Sequence, residues 1–326
     1  VRQLAHRYVL TENCNANCPH CFNAEARDQG VMDADLYFKF IRKNSMHLSN
    51  TTALLMGGEP TLHPRIIDII VESAKHYGTV DVFTNGSRLN KISKHPEIVR
   101  EHFRDKVVYT VNGYVFDPVK FLEYKDFIKT MYLHFVITTW GYKETIQKVF
   151  DCMKFHPQVA YTISCDTQVD VFDDVQVKEY RKIWLESIKQ IMPRIKAEGI
   201  DWRTDHNFPL CFFTEEMLDE LNLIGLHNFQ FINTSCTCPN IGLIDWNWDL
   251  YYCNQTRIKL GSVLDEADEP KSLQDLINEY ITPAYGFKTN CISNLREECK
   301  NCKSLNMCRV GCYYNTLVKH CNSKGG

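Results

Sequence analysis

From residue 6 to about residue 165, short and nearly continuous apolar runs alternate with segments of helical periodicity. The runs are HRYVLT (6–11), TTALLM (51–56), TVDVFT (79–84), KVVYTV (106–111), LHFVIT (133–138) and VAYTIS (159–164). Most lack the strict alternation of a sheet wet on one face, so they read as parallel strands covered on both faces. Helices with recognisable ends lie between them. One starts at Asp33 and runs through LYFKFIRK; a second has Pro64 in its first turn and Gly78 just past its end; a third, KETIQKVFDCMKF, stops before His156-Pro157. Six β/α repeats predict an α/β fold whose parallel sheet curves toward a barrel. In such barrels the working residues sit at the C-terminal ends of strands. Cys14, Gly57, Asn85 and Cys165 all fall there.

Beyond the repeats, residues 174–199 predict a long amphipathic helix with Val177, Tyr180, Trp184, Ile188 and Ile191 on one face and Gly199 as its stop. A mixed bridge follows, with Cys211 and a short helix after Thr214. From residue 236 the sequence is rich in cysteines and turns. The expected organisation is a barrel over 1–200, a bridge over 201–235 and a cysteine-rich domain over 236–326.

Composition narrows the class. The 326 residues are 44% hydrophobic and 24% charged, as in ordinary globular proteins. A net charge of −3 gives no electrostatic argument for nucleic acid or an anionic membrane. No apolar run has the length of a membrane span, and the start VRQLAHRYVL is unlike a signal peptide, so a cytoplasmic location is expected. The triplets at Asn50, Asn233 and Asn254 are then chance matches to a glycosylation signal. Cysteine is the outlier at 15 copies, an odd count that argues against a disulfide framework. Three lie in the first 21 residues, three in the middle and nine beyond 235, which predicts separate metal centres.

The first three, Cys14, Cys18 and Cys21, form C-x3-C-x2-C directly after the first strand. Three thiolates in one tight loop can hold a 4Fe–4S cluster by three of its irons, leaving the fourth free for chemistry. A zinc knuckle is the plain alternative, but structural zinc takes four ligands and no nearby residue completes the set. After the second strand comes Gly57-Gly58-Glu59-Pro60, where glycines permit close backbone approach and Glu59 can fix a peptide group or an amine. After the third comes Thr84-Asn85-Gly86, which is equally an ordinary Asn-Gly turn. In this order and spacing the motifs resemble those of radical S-adenosylmethionine (SAM) enzymes. The resemblance implies a partial (β/α)6 TIM-like barrel, with Cys14, Cys18 and Cys21 holding the cluster. It also implies that Gly57, Gly58, Glu59, Pro60, Thr84 and Asn85 lie along the SAM. In that family the open iron is chelated by SAM. An electron from the cluster then cleaves SAM to a 5'-deoxyadenosyl radical, which abstracts a hydrogen atom from substrate.

Near the C-terminus, Cys299, Cys302, Cys308 and Cys312 give C-x2-C-x5-C-x3-C, followed by Cys321 and preceded by Cys236, Cys238 and Cys253. With KLGSVLDE and SLQDLINEY after Cys253, this region resembles the SPASM domain, which implies two auxiliary 4Fe–4S clusters. By that likeness Cys299, Cys302, Cys308 and Cys321 hold one. Cys238, Cys253 and Cys312 hold the other, with Cys236 as its fourth ligand and Cys291 as a possible substitute. The family has a glycine five residues before the cysteine matched by Cys253. Here that residue is Trp248, so a different turn is expected. A pair of zinc sites is the alternative for the same cysteines.

Of the remaining cysteines, Cys152 reads as a small buried hydrophobe within a helix. Cys165 and Cys211 are candidate catalytic hydrogen-atom donors, with a packed thiol as the equal alternative for each. Asp166, Asp205 and His206 are candidate bases. The resemblance implies oxidation of a peptide, by dehydrogenation or crosslinking. It also implies an external electron donor such as flavodoxin or ferredoxin. The segment before Cys14 has no room for a leader-peptide recognition domain, which leaves two readings: a separate leader-binding protein, or a small substrate. A radical SAM dehydrogenase or epimerase acting on a sugar- or aminoglycoside-type small molecule is the second reading. An iron–sulfur redox sensor or scaffold, which would not cleave SAM, is the third.

Overall fold

A computed structural model describes residues 5–18, 21, 30–154, 159–166, 169, 173–205, 212–226, 241–252 and 258–283. Backbone alone is described at Glu101, Cys165, Thr204, Asp205 and Ile241. The chain forms two compact units: residues 1–133 with 238–286, and residues 134–237 with 287–326.

The first unit is built on β1 (Ala5–Thr11), β2 (Thr52–Gly57), β3 (Thr79–Thr84) and β4 (Val107–Asn112). These strands are parallel and adjacent in chain order, as the apolar runs predict. Helix α1 (Ala34–Lys43) follows β1 and helix α2 (Ile66–His76) follows β2. Asp33 caps α1, its carboxylate accepting from the N–H groups of Asp35 and Leu36. The helix buries Tyr37, Phe38, Phe40 and Ile41. Between strands and helices a polar chain runs through the apolar core. Tyr8 and Tyr77 share a hydrogen bond of 2.5 Å, and Tyr37 donates to Ser73, which donates to the Ile69 carbonyl. Every buried hydroxyl on this path has a partner, which makes its burial tolerable.

The second helix differs at both ends from its expected form. Ile66 is its first residue and Pro64 stands in the preceding turn. Gly78 does not take the left-handed cap conformation. It is required because a Cβ there would come within 2.7 Å of the Ser49 carbonyl.

Three later strands extend the same unit: β8 (Ile241–Ile244), β9 (Asp249–Tyr251) and β10 (Lys259–Ser262). Strand β8 pairs parallel with β1, and β9 and β10 continue antiparallel, giving the order β10-β9-β8-β1-β2-β3-β4 within the unit. Asn44, just past α1, fastens the segment after β10. Its side chain donates to Phe40 O at 2.8 Å and accepts from the Leu273 N–H at 2.7 Å.

Strand β5 (Thr130–Ile137) lies where the chain passes from the first unit to the second. The second unit contains β6 (Val159–Cys165) paired parallel with β7 (Trp202–Asp205), and the helices Tyr142–Met153, Asp174–Ala197 and Glu215–Leu223. The long helix buries Val177, Tyr180, Trp184, Ile188 and Ile191 as the periodicity predicts, and Gly199 follows it at φ 64°. No described helix is long and apolar enough to cross a membrane.

Asn44→Ala should lower the unfolding free energy by about 1–3 kcal/mol, because it leaves the buried Leu273 N–H without its acceptor. Urea unfolding followed by circular dichroism reads this directly, and an unchanged midpoint would mean that the contact contributes nothing.

Candidate functional site

The cysteine loop leaves the sheet at the C-terminal end of β1 and returns to the same place. Thr11, the last residue of β1, donates from its hydroxyl to the Gly30 carbonyl at 2.8 Å, and the Glu12 N–H donates to the same oxygen at 3.3 Å. Thr11 also bridges Val31, and the Met32 N–H reaches Leu10 O at 2.8 Å. Just outside this neck, His63 is buried between the Met32 carbonyl (2.8 Å from Nε2) and the Arg65 N–H, which donates to Nδ1. That arrangement uses both ring nitrogens of a neutral imidazole, and burial lowers the His63 pKa.

Within the loop Cys14, Cys18 and Cys21 are half-buried and not joined in disulfides. The Ala16 N–H lies 3.5 Å from the Cys14 sulfur, and the Cys21 N–H donates to Cys18 O at 3.1 Å. The Cys18 sulfur receives the side-chain amide of Asn112, from the end of β4, at 3.5 Å.

The glycines after β2 bring a second backbone against this loop. Gly57 sits at φ 140°, and a Cβ on it would lie 2.2 Å from Thr11 O. At Gly58 a Cβ would lie 2.4 Å from the carbonyls of both Glu12 and Asn13. With hydrogen in that position, Gly58 N–H donates to Thr11 O at 2.8 Å and Glu59 N–H to Asn13 O at 2.7 Å. No larger residue fits at Gly58 without moving the chain that carries Cys14.

Glu59 is fully buried. Its Oε1 accepts from the Thr61 N–H (3.1 Å), the Thr61 hydroxyl and the Thr84 hydroxyl (2.7 Å); its Oε2 accepts from the Asn85 N–H at 2.6 Å. Burial pushes its carboxyl above the ordinary range, and these donors act in the opposite direction. Pro60, also buried, opens the single helical turn Pro60–Leu62 that the carboxylate caps.

Asn85 adds the third strand end. Its side-chain amide donates to Asn15, inside the cysteine loop, at 2.8 Å, while its oxygen accepts from the Ser87 N–H. Gly86 follows at φ 82°, so this is an Asn-Gly turn that also grips the loop. Cys14, Gly57, Glu59, Thr84 and Asn85 thus meet at the C-terminal ends of β1, β2 and β3. Asn15, Gly30 and Asn112 belong to the same arrangement and were missed by motif reading. For Asn112 the available signal was its place at the end of the fourth apolar run.

The hairpin after β8 also reaches the loop neck. Trp246 covers Gly30 so closely that a Cβ on that glycine would lie 2.4 Å from the indole ring. Two residues on, Trp248 takes φ 63°, a left-handed conformation uncommon outside glycine. Its ring is buried 6.1 Å from that of Phe40, so packing offsets the strained backbone.

Among the other candidates, Cys152 is buried in a helix, and burial raises its thiol to about 12, which makes it a packing residue. Cys165 ends β6. Asp166 follows, buried, its N–H donating to the Tyr180 hydroxyl at 2.7 Å, while that hydroxyl donates to Ile137 O at 2.6 Å. Cys211, His206, Cys236, Cys238, Cys253, Cys291, Cys299, Cys302, Cys308, Cys312 and Cys321 lie outside the described residues.

The donor set in the loop suits an iron–sulfur cluster. Among the described residues no three metal-binding side chains converge on a single ion. A cluster asks for something else, one thiolate per iron. The three half-buried thiols, with N–H donors beside two of the sulfurs, supply that.

Comparison with known proteins agrees with the geometry. The family profile described as Radical SAM superfamily matches residues 8–134. A curated relative, the tungsten-containing aldehyde ferredoxin oxidoreductase cofactor-modifying protein of Pyrococcus furiosus, is 34% identical over 83 residues, 24% of this chain and 23% of the relative. An S-adenosylmethionine-dependent nucleotide dehydratase of Psychrobacter lutiphocae is 32% identical over 104 residues, 27% of this chain and 35% of the relative. These matches thus span about a quarter to a third of the relatives' length. The fold is shared over nearly the whole chain with Streptococcus suis SuiB bound to S-adenosylmethionine (TM-score 0.63, 16% identity, 96% of this chain and 73% of that one). It is shared equally with anSMEcpe bound to AdoMet and the Cp18Cys peptide (TM-score 0.63, 16% identity, 99% of this chain and 95% of that one). The α/β fold with its parallel sheet is therefore that of a partial TIM-like barrel, and residues 8–134 match the Radical SAM superfamily.

Proposed function

We propose that this protein is a radical SAM enzyme that oxidatively modifies a peptide. The observation that carries the reading is the joining of the cysteine loop, Gly57-Gly58-Glu59 and Asn85 at three adjacent strand ends, by hydrogen bonds, with no disulfide among the three cysteines. Cys14, Cys18 and Cys21 each hold one iron of a 4Fe–4S cluster. Gly57, Gly58, Glu59, Pro60, Thr84 and Asn85 shape the adjoining surface on which SAM lies. When bound, cluster and SAM together supply one-electron chemistry able to take a hydrogen atom from an unactivated C–H bond. The chain's own part is placement: Glu59 fixes the ends of β2 and β3, and Asn85 fixes the loop.

Two observations support a peptide as substrate. SuiB has been solved bound to its precursor peptide SuiA, and anSMEcpe with a peptide bound; both have the fold of this chain. In this reading Cys236, Cys238, Cys253, Cys299, Cys302, Cys308, Cys312 and Cys321 hold two auxiliary clusters of the SPASM type. Such clusters would supply an acceptor for the second electron of an oxidation, and Cys165 and Cys211 serve only if the product is an epimer. An external electron donor completes the cycle, and the protein works in the cytoplasm.

Anaerobic reconstitution should give about twelve irons per chain, falling by about four in a Cys14/Cys18/Cys21→Ala triple variant. The wild type should then release 5'-deoxyadenosine from SAM on reduction and the variant none. Iron unchanged by the triple substitution would overturn the cluster assignment. About four irons with bound zinc would remove the auxiliary clusters and point to a redox-neutral reaction.

Glu59→Gln separates SAM placement from cluster binding. The glutamine must set an N–H donor against either the Asn85 N–H or the donors of Thr61 and Thr84. SAM affinity should fall at least about tenfold, the weight of one buried polar mismatch, with cluster iron retained. Calorimetric titration with SAM reads the loss, and wild-type affinity would sink this role for Glu59.

A further inference from the structure

The three cysteines are not in equivalent surroundings. Cys14 has a backbone N–H two residues away as the neighbour of its sulfur. Cys18 has a side-chain donor supplied from 94 positions further along the chain, the Nδ2 of Asn112, at 3.5 Å. Sulfur's large radius makes that an ordinary donor–acceptor distance. Asn112 is the last residue of β4, two strands beyond β2, so the sheet itself brings it to the loop.

The orientation of the amide is fixed from the other side. Asn112 Oδ1 accepts from the Tyr114 N–H at 3.0 Å in a turn closed two residues on. With the oxygen so engaged, the NH2 end is the one directed at Cys18, and a flipped amide would lose both contacts. Strand β4 is pinned to β3 by five residue pairs from Val80–Val107 to Thr84–Val111. The donor is therefore presented by rigid backbone next to the turn that holds Glu59 and Asn85.

We infer that Asn112 is a positioning residue for the cluster, its amide donating to the Cys18 sulfur and so setting how readily the cluster accepts an electron. The inference rests on the proposed role of Cys18 as a cluster ligand. An N–H donor stabilises electron density on a ligating sulfur, and the reduced cluster carries one more negative charge than the oxidised one. The donor therefore favours reduction, and its loss makes the cluster harder to reduce.

Two substitutions distinguish this role from a merely structural one. Asn112→Asp keeps the acceptor for the Tyr114 N–H but has no N–H for Cys18. Asn112→Ala removes both. The readout is a redox titration of the cluster whose EPR signal changes when SAM is added, with iron content measured alongside. Both variants should show a ratio of reduced to oxidised cluster at least about fivefold lower than wild type at the wild-type midpoint, the weight of one neutral hydrogen bond. A shift in Asn112→Ala alone would mean that the turn matters and the donor does not. A shift in Asn112→Asp alone would be an effect of the added charge. Either result, or unchanged titrations, overturns the inference while leaving the enzyme assignment standing. A variant that fails to hold iron is replaced by Asn112→Ser, whose hydroxyl can serve Tyr114 but falls short of Cys18; the same fall is expected. Absence of any SAM-responsive cluster signal in the wild type would overturn both the inference and the proposed function.

Discussion

A buried carboxylate holds the site together. Glu59 has no access to solvent, and an unpartnered carboxylate in that position would be prohibitively costly. Its four donors come from the turn after β2, from the last residue of β3 and from the residue that follows it. The cost of desolvating the charge is thereby converted into a demand that two strand ends adopt one relative position. The backbone N–H of the same residue holds Asn13 O, one position before Cys14. One residue thus couples three strand ends, and Gly57 and Gly58 are the condition for it, since a Cβ at either would push the backbones apart.

The cysteine loop is tethered on two further sides. Its ends, 19 positions apart, meet at Thr11 and Gly30, so the entropic cost of closing it is met at the neck. Its interior is held by Asn85 on Asn15 and by Asn112 on Cys18. All these tethers are polar and lie at the C-terminal ends of parallel strands. There the strand carbonyls and loop N–H groups need partners that the apolar core cannot supply. The same geometry that gathers chemistry at one end of an α/β sheet therefore also supplies the means of fixing it.

Much of the first unit was legible in the sequence because its strands are buried on both faces. Such strands must be continuous and apolar, and the runs found by pattern coincide with β1 to β6 to within a few residues. Asp33 and Gly199 were equally legible, as their roles depend only on local backbone. Gly78 was not, because its reason lies across the fold at Ser49. Asn112 escaped for the same reason: an asparagine at a strand end has no local signature, and its partner stands 94 positions earlier. The motif residues were found as a set, but their division of labour was not readable. Nothing in a Gly-Gly-Glu-Pro string tells that Glu59 spends its oxygens on Thr61, Thr84 and Asn85.

Trp248 shows that residue type alone does not fix backbone conformation. Glycine is favoured at positive φ because it lacks the Cβ clash, at roughly 1–2 kcal/mol for other residues. A tryptophan can meet that cost if its ring gains more by burial than the backbone loses, and fully burying a large apolar side chain contributes about 1.5–3 kcal/mol or more. Here the ring lies against Phe40 of α1, so the turn between β8 and β9 is held by the core. The consequence reaches the site. The same hairpin carries Trp246, which lies over Gly30 at the neck of the cysteine loop. A residue that looks like a defect in a C-terminal motif thus helps anchor the hairpin that braces the N-terminal cysteines from the far side of the sheet order.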